Sequence, residues 1–295
     1  MTVVTKGVKA LVCAGLVCAM SSPLMASAAL VVTTTNDVSQ LSGALFAANS
    51  GVNLISSQLT LGAPNQQGTY SGFSLAPSSG STPTLQLQDG VVLTTGGNAA
   101  VPLTNTTNSY STTVNGAGFA PLSTLSGQNT NDANVLSFTF TLEAGLNAVS
   151  MQFVFATDEF PTQTVTDIFG FFVDGVNYAQ FPSGELISNT PGNPTNFIPN
   201  PVGEGLYDIE WNGLTQVFTV TGLVDPSRSE HTLQIAIADT SDRIYDSAVY
   251  IAGLKGVAST GGGIGDPIDV PEPGSMALLG LGLLGLMASR YRRAA

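Results

Sequence analysis

The chain has 295 residues and a formal net charge of −12, and only 9% of its residues are charged. Coiled coils and long helical bundles are rich in Glu, Lys, Arg and Ala, and nucleic-acid-binding proteins need a surplus of Lys and Arg, so the composition argues against both classes. Between residues 30 and 270, three basic residues stand against 19 carboxylates, which gives this body a formal charge of −16. Such a body repels nucleic acid and anionic lipid, and it attracts metal cations and basic partners.

Residues 1–29 have the pattern of a secretory signal peptide. Lys6 and Lys9 precede an apolar run of eleven residues, and the small residues at 26–29 offer a cleavage site for export through the Sec machinery. The alternative is an N-terminal anchor that stays attached, but the apolar run is shorter than the ~20 residues of a membrane span. Both cysteines of the chain fall inside this segment, so we expect a mature protein without disulfides or thiol ligands.

One helix and a series of strands are predicted along the body, residues 30–258. Val38, Leu41 and Leu45 recur at helical spacing behind the capping pair Asn36-Asp37, which predicts a helix that ends before residue 49. Period-two alternation or a continuous apolar run predicts strands at 90–95, 135–142, 149–155, 168–173, 217–221, 232–238 and 248–254. Short strands separated by Gly, Pro and Asn turns predict an all-β fold, a single β-sandwich or jelly-roll-like domain.

The C-terminal part of the chain has a tripartite pattern after a Gly-rich linker at 259–269. Residues 270–295 contain the tripeptide Pro271-Glu272-Pro273, an uncharged apolar stretch at 274–289, and then Arg290, Arg292 and Arg293. The apolar stretch predicts a short transmembrane helix, and the arginines after it predict a cytoplasmic anchor. Its 16 residues make a helix of ~24 Å, thin for a hydrocarbon core of ~30 Å. The alternative is a buried core helix, which the adjacent arginines disfavour.

Residues 270–293 resemble the PEP-CTERM sorting signal, because Pro-Glu-Pro, a short Leu- and Gly-rich span and an arginine cluster follow one another in that order. The resemblance implies recognition by an exosortase in the inner membrane of a Gram-negative bacterium, with processing near Pro-Glu-Pro. The membrane-anchored precursor would then yield a protein of the cell surface or of the extracellular, exopolysaccharide (biofilm) matrix.

The body also resembles the choice-of-anchor L domain, from about residue 36 to residue 256. The segments that carry this resemblance are 87–96, 132–140, 153–160, 167–175 and 237–251. The family name records that such bacterial surface domains carry different C-terminal anchors, PEP-CTERM among them, so the two resemblances agree with each other. The resemblance implies a surface location. It implies no particular biochemical activity, because none is established for the family.

Two groups of acidic residues close to predicted strands are the predicted metal ligands. They are Asp158, Glu159 and Asp167 in the first group, and Asp239, Asp242 and Asp246 in the second. Loops cluster at one end of a sandwich, and Ca²⁺ takes about six to eight oxygen ligands, so we predict a calcium site that holds these loops together without disulfides. The alternative is that the acids are solvated, cap turns, or form a local ion pair with Arg243.

No nucleophile or base motif accompanies these acids. The only histidine, His231, enters a predicted strand, the body has no G-x-S-x-G elbow, and we predict His231 to be a surface residue at a strand edge. We therefore predict no enzyme and no catalytic residues, but a structural, adhesion or glycan-binding module whose partner is exopolysaccharide. The alternative is an extracellular polysaccharide-active hydrolase with paired carboxylates, although the single tryptophan, Trp211, offers little for stacking on sugars.

Overall fold

Nearly all of the regular structure consists of β-strands. The computed structural model describes residues 29–78, 82–163, 166–189, 194–204 and 206–265. In chain order the elements are β1 Val31–Thr34, α1 Val38–Leu45, β2 Val52–Leu61, β3 Gln67–Ser71, β4 Ser74–Leu75, β5 Leu85–Gln86, β6 Gly90–Thr94, α2 Ala120–Ser126, β7 Thr130–Leu142, β8 Ala148–Thr157, β9 Ile168–Val173, β10 Val176–Asn177, a 3-10 turn at Pro194–Asn196, β11 Phe197–Pro199, β12 Gly213–Thr215, β13 Phe218–Leu223, β14 His231–Thr240, β15 Ser247–Val257 and β16 Gly263–Ile264.

Two antiparallel sheets are packed against each other. The larger sheet has the order β1-β3-β6-β15-β8-β12-β11, with β13 also paired to β8 and β16 paired to β13. The smaller sheet has the order β10-β9-β14-β7-β2. Their facing sides enclose one apolar core, in which the rings of Phe153 from β8 and Phe169 from β9 lie 5.1 Å apart. The all-β prediction is confirmed, and its jelly-roll form stays a prediction.

The outer faces of both sheets are covered as well. Loop residues Phe73, Tyr207 and Trp211 pack around Tyr250 on the outer side of the larger sheet. On the smaller sheet the covering element is α2, whose Leu122 is fully buried. A strand that is buried on both faces carries a continuous apolar run, which is why β9 was predicted from its composition. Strands β7, β8 and β14 were predicted from period-two alternation instead.

The predicted helix and the seven predicted strands are present, and their ends differ by a few residues from those predicted. The helix begins after Asp37, whose Oδ1 accepts hydrogen bonds from the N–H groups of Ser39 at 2.9 Å and Gln40 at 3.3 Å. It ends at Leu45. The strands correspond to β6, β7, β8, β9, β13, β14 and β15. Helix α2, the long edge strand β2 and the short strands β1, β3, β4, β5, β10, β11, β12 and β16 were not predicted.

The folded part extends beyond residue 258. Strand β16 pairs with Val220 and Thr221 of β13, and the N–H of the buried Ser259 donates to Asn147 Oδ1 at 2.8 Å. The first residues of the predicted linker are therefore fixed to the larger sheet. Except for Ala29, the predicted signal peptide at 1–29 lies outside the described residues, and so do the linker after residue 265 and the predicted sorting segment at 270–295.

Candidate functional site

Five of the six predicted metal ligands are buried at one end of the molecule, where four strands begin or end. Asp158 and Glu159 follow β8, Asp167 precedes β9, Asp239 lies near the end of β14 and Asp246 precedes β15. Strand pairing explains this, because β8 and β15 pair up to Thr157 and Ser247, and β9 and β14 pair up to Ile168 and Ala238. All five acids are between 1% and 3% exposed, so none of them is a solvated loop residue.

The sixth acid, Asp242, lies in the turn between β14 and β15, close enough to raise the pKa of Glu159, but it is not buried with the other five. It is only half-buried, and its Oδ1 accepts a hydrogen bond at 3.3 Å from the N–H of Ile244 within the same turn. This is the turn-capping role that the alternative reading assigned to such acids.

Glu159, Asp167 and Asp239 form an inner group, called the carboxyl trio below. Glu159 Oε2 accepts a hydrogen bond from the N–H of Asp167 at 2.6 Å, and Thr95 Oγ1 donates to Asp167 Oδ2 at 3.2 Å. The carboxyl groups of Asp167 and Asp239 lie within hydrogen-bonding reach of each other. Among the described residues, the Oδ1 atoms of Asp167 and Asp239 are buried and have no hydrogen-bond partner.

Asp158 and Asp246 lie beside the trio and tie a neighbouring loop to the strand ends. Asp158 accepts hydrogen bonds from the N–H groups of Tyr110 and, at 3.2 Å, Asn212. Asp246 Oδ2 accepts from the N–H of Thr112 at 2.9 Å and from its hydroxyl at 2.6 Å. Position 96 is glycine, and a Cβ there would lie 1.8 Å from Asp246 Oδ2, so the carboxyl group occupies the space that a side chain would need.

Burial and mutual repulsion raise the pKa values of all five acids. Burial, opposed in part by backbone hydrogen bonds, raises the pKa of Asp158 to about 7, and burial raises the pKa of Asp246 to about 6. Burial also raises the pKa of Asp239 to about 8. The pKa values of Glu159 and Asp167 are raised well above their ordinary values by burial and then by neighbouring carboxylates, including Asp239. The cluster therefore holds protons at a pH at which exposed carboxyls are ionised.

No basic side chain neutralises the carboxyl trio in the part of the chain that the structure describes. Arg243 pairs with Asp132, and its Nη1 donates to the carbonyl oxygen of Gly116 at 2.9 Å. The predicted local ion pair of Arg243 with Asp242 or Asp246 is therefore wrong, because the arginine reaches across to β7. Within the described ranges, no group of three or more His, Cys, Asp or Glu side chains is arranged to hold a metal ion.

Two buried acids were missed by the sequence reasoning. Asp132 lies within β7 at a φ of 47°, next to Arg243, and Glu210 is completely buried in a loop. Glu210 accepts hydrogen bonds from the N–H groups of Thr106 at 3.3 Å and Thr107 at 3.1 Å. Neither residue follows a predicted strand, and the partners of Glu210 lie about 100 residues away in the sequence, so no local signal marks them.

The prediction that His231 is a surface residue is wrong. His231 is 7% exposed, its Nδ1 lies 2.8 Å from Asp174 Oδ2, and its ring packs against Phe140 at 5.7 Å. Burial acts to raise the pKa of Asp174, but hydrogen bonds from the N–H groups of Asp225 and Thr232 and from His231 outweigh it and lower the pKa. The pair fixes the start of β14 to the end of β9. The two residues are 57 positions apart in the sequence, so local sequence patterns do not predict their contact.

A polar groove lies over the larger sheet, away from the carboxyl trio. Its polar lining consists of Gln88, Ser150, Gln152, Thr219 and Lys255, with a cavity volume of about 430 Å³, and it is called the lysine groove below. Cross-strand pairing places these side chains together, because Gln152 of β8 is opposite Thr219 of β13 and Ser150 is opposite Lys255 of β15. None of the described residues that line it is acidic.

Comparison with known families decides what this β domain is. A model of the choice-of-anchor L domain matches residues 30–254. The chain belongs to the choice-of-anchor L family. Searches of curated proteins and of solved structures gave no match.

This choice-of-anchor L chain also carries a PEP-CTERM protein-sorting motif, which matches residues 269–293. Both predicted resemblances are thus confirmed. The motif indicates an exported protein of the cell surface or extracellular space of a Gram-negative bacterium, sorted by an exosortase. The helices that the structure describes include none with the length and apolarity needed to cross a membrane. The predicted sorting helix lies outside the described residues.

The family match covers all six acids that were predicted as metal ligands. Asp158, Glu159 and Asp167 stand in the segments 153–160 and 167–175, and the other three stand in 237–251. These segments form the ends of β8 and β14 and the starts of β9 and β15. The buried acidic end therefore lies within the part of the chain that matches the family.

Proposed function

We propose that this choice-of-anchor L protein is a non-catalytic module of the cell surface or the exopolysaccharide matrix, where it binds the polymer. The main support for the proposal is that the acids a hydrolase would need are buried. A glycosidase presents two carboxyl groups on either side of a sugar, about 5 Å or about 6.5–9.5 Å apart. Here Glu159 and Asp167, two neighbours in the carboxyl trio, are 2% and 1% exposed. A sugar ring does not reach such side chains without opening of the sandwich.

The open surface has the character of a binding module. The lysine groove has polar side chains and no acid among the described residues that line it, and a second pocket across the smaller sheet is lined by Ser56, Gln58 and Gln234 among others. Hydroxyl and amide groups of this kind exchange hydrogen bonds with sugar hydroxyls and are not general acids or bases.

The experiment uses the mature protein from its native host together with the purified extracellular polymer of that host. We expect the protein to co-sediment with the polymer and to release no new reducing ends during long incubation. Release of reducing ends that is lost in the Glu159→Gln variant would favour the hydrolase alternative instead. Absence of the protein from the polymer pellet, with or without calcium, would overturn polymer binding.

We also propose that calcium binds at the carboxyl trio and stabilises the acidic end. The support is the pair of buried, unpartnered Oδ1 atoms of Asp167 and Asp239, which have no cation beside them among the described residues. Two carboxylates and nearby hydroxyl or carbonyl oxygens are ligands of the type that Ca²⁺ uses, and its bound charge would offset their repulsion. Since the described side chains do not form a three-ligand group, binding would require a local adjustment of the trio.

A further inference from the structure

The lysine groove is created by an irregularity in β15. The pairing of β15 with β8 shifts register between Ala252 and Lys255, and Gly253 within this bulge has a φ of +69°. A bulge of this kind turns side chains away from their regular alternation. The result is that Lys255 joins Ser150 and Gln152 in the lining of one open groove, together with Gln88 from the neighbouring loop.

Lys255 is the one basic residue of the described body that has no ion pair. Arg228 pairs with Asp225, and Arg243 pairs with Asp132. Lys255 is exposed, and the described residues give its ammonium group neither a hydrogen bond nor an acidic neighbour in the groove. In a body with a formal charge of −16, a free cation in a groove without carboxylates is a local binding point for a negative charge.

The glutamine side chains of the groove also lack hydrogen-bond partners among the described residues. Gln88 and Gln152 are exposed, and no hydrogen bond within the described residues occupies their amides. Ser150, by contrast, is buried and bonded to Thr221 at 3.2 Å. Each free amide offers two N–H donors and one acceptor, a combination that suits neighbouring hydroxyl groups on a sugar ring.

We propose that the lysine groove binds an acidic sugar unit of an extracellular polysaccharide, with the carboxylate of a uronate on Lys255 and ring hydroxyls on Gln88 and Gln152. This inference rests on the proposed function and specifies its ligand. A single lysine matches the carboxylate of one sugar unit, whereas a long nucleic acid extending beyond the groove would meet repulsion from the rest of the body. At physiological salt this repulsion is screened beyond about 8 Å, so contacts inside the groove decide the binding of a short acidic oligosaccharide.

The test titrates the mature protein with oligogalacturonate and, separately, with a neutral gluco-oligosaccharide of the same length. We expect the oligogalacturonate to bind more tightly and its affinity to fall as salt is raised. Lys255→Gln should weaken this binding about tenfold, since a charged hydrogen bond is lost, and Gln152→Ala should weaken it less. Arg228→Gln, which removes an exposed cation outside the groove, is the matched control and should leave the affinity unchanged.

The variants change exposed side chains, and an unchanged melting temperature will show that they fold. Equal affinity of wild type and Lys255→Gln for oligogalacturonate would overturn the proposed site, and so would a failure of the wild type to bind it. Co-sedimentation of the Lys255→Gln variant with native polymer separates the two proposals. If wild type and variant bind that polymer equally, the groove is excluded while the proposed function stands; if neither binds, the proposed function itself fails.

Discussion

Asp167 and Asp239 are in an environment that two ionised carboxylates do not tolerate. Both are almost fully buried, their side chains are within hydrogen-bonding reach of each other, and each has one unpartnered oxygen within the described part of the chain. A buried charge without a partner costs several kcal/mol, so the pair must either share a proton or bind a cation. The two states respond differently to pH and to calcium, which makes them separable.

Without calcium, the stability of the protein should fall as the pH rises from about 5 to about 8. The folded-state pKa values are raised to about 6 for Asp246, about 7 for Asp158 and about 8 for Asp239, against about 4 in the unfolded chain. The folded state therefore binds more protons than the unfolded state, and the stability present below pH ~4 is lost as the pH rises through the folded pKa values. We expect the melting temperature to drop by roughly 5–10 °C, measured by calorimetry in chelator.

The matched variant for this pH dependence is Asp239→Asn. It keeps the shape of the side chain and supplies an N–H donor to Asp167, so the loss of stability with pH should become shallower. Asp208→Asn, which removes an exposed acid, controls for the change in net charge. A melting temperature that rises between pH 5 and pH 8 in the wild type would contradict the raised pKa values.

Calcium should restore the folding stability that is lost at high pH. At about pH 8 a saturating concentration stabilises the folded state by about 2.7 kcal/mol when it exceeds the dissociation constant a hundredfold, and chelator should remove this gain. At about pH 5 the gain should vanish, because protons compete for the same oxygens. The measurement is the melting temperature with calcium, magnesium or chelator, and Asp167→Asn should lose the response. A melting temperature at pH 8 that does not change in millimolar calcium would contradict the calcium proposal.

At the scale of the elements, longer strands with a clear hydrophobic pattern were predicted, whereas short strands and the exposed edge strand β2 were not. The run Ile168–Val173 is entirely apolar and forms the fully buried β9. By contrast, the edge strand β2 is mostly exposed, and its pairing with β7 shifts register twice, between Leu54 and Ser56 and between Leu59 and Leu61. Each shift interrupts the period-two pattern, so β2 has no continuous alternation to detect.

Helix α2 was missed for a similar reason. Its seven residues bury only Leu122, too few apolar positions for a helical period, and they have no side-chain cap at Phe119. The helix exists because it covers Gly170 of β9 on the outer face of the smaller sheet. A Cβ at Gly170 would lie 2.9 Å from Leu122 and 2.5 Å from the ring of Phe172. Local signals mark its ends, with Pro121 in the first turn and Gly127 at the C-cap with a φ of 68°, and tertiary contact stabilises the short helix between them.

Gly170→Ala should therefore destabilise the protein. The added methyl group meets Leu122 and Phe172 in a packed layer, and overpacking of this kind costs about 1–3 kcal/mol. Gly43→Ala is the control, because Gly43 lies within α1 with no heavy atom within 4 Å of the added Cβ, and the helix should gain about 0.5–1 kcal/mol. Urea unfolding of both variants measures the two changes in the free energy of unfolding, which should have opposite signs. Equal stability of Gly170→Ala and wild type would show that α2 moves away at no cost.

For the whole molecule, the sequence predicted where the acids gather but not what they do. Placement at the ends of paired strands was enough to bring Asp158 and Asp246 to one end, because strand pairing is a regular geometry. Their burial, the distant donors Tyr110 and Thr112, and the true partner of Arg243 depend on loop packing across more than 40 residues. The lysine groove depends on the β-bulge in β15, and a bulge has no recurring sequence pattern from which it could be predicted.

Export is expected to shorten the chain at both ends. The sorting motif at 269–293 implies that an exosortase processes the precursor near Pro271-Glu272-Pro273, and the predicted signal peptide implies removal of residues 1–29. Intact-mass analysis of the protein from the native host, taken separately from cell envelope and matrix, should find the matrix form without either segment. Replacement of Pro271, Glu272 and Pro273 by Ala should keep the chain in the envelope with its tail. A wild-type mass that retains the tail, found only in membranes, would instead indicate a tethered domain, and the matrix would then not be the place to seek its ligand.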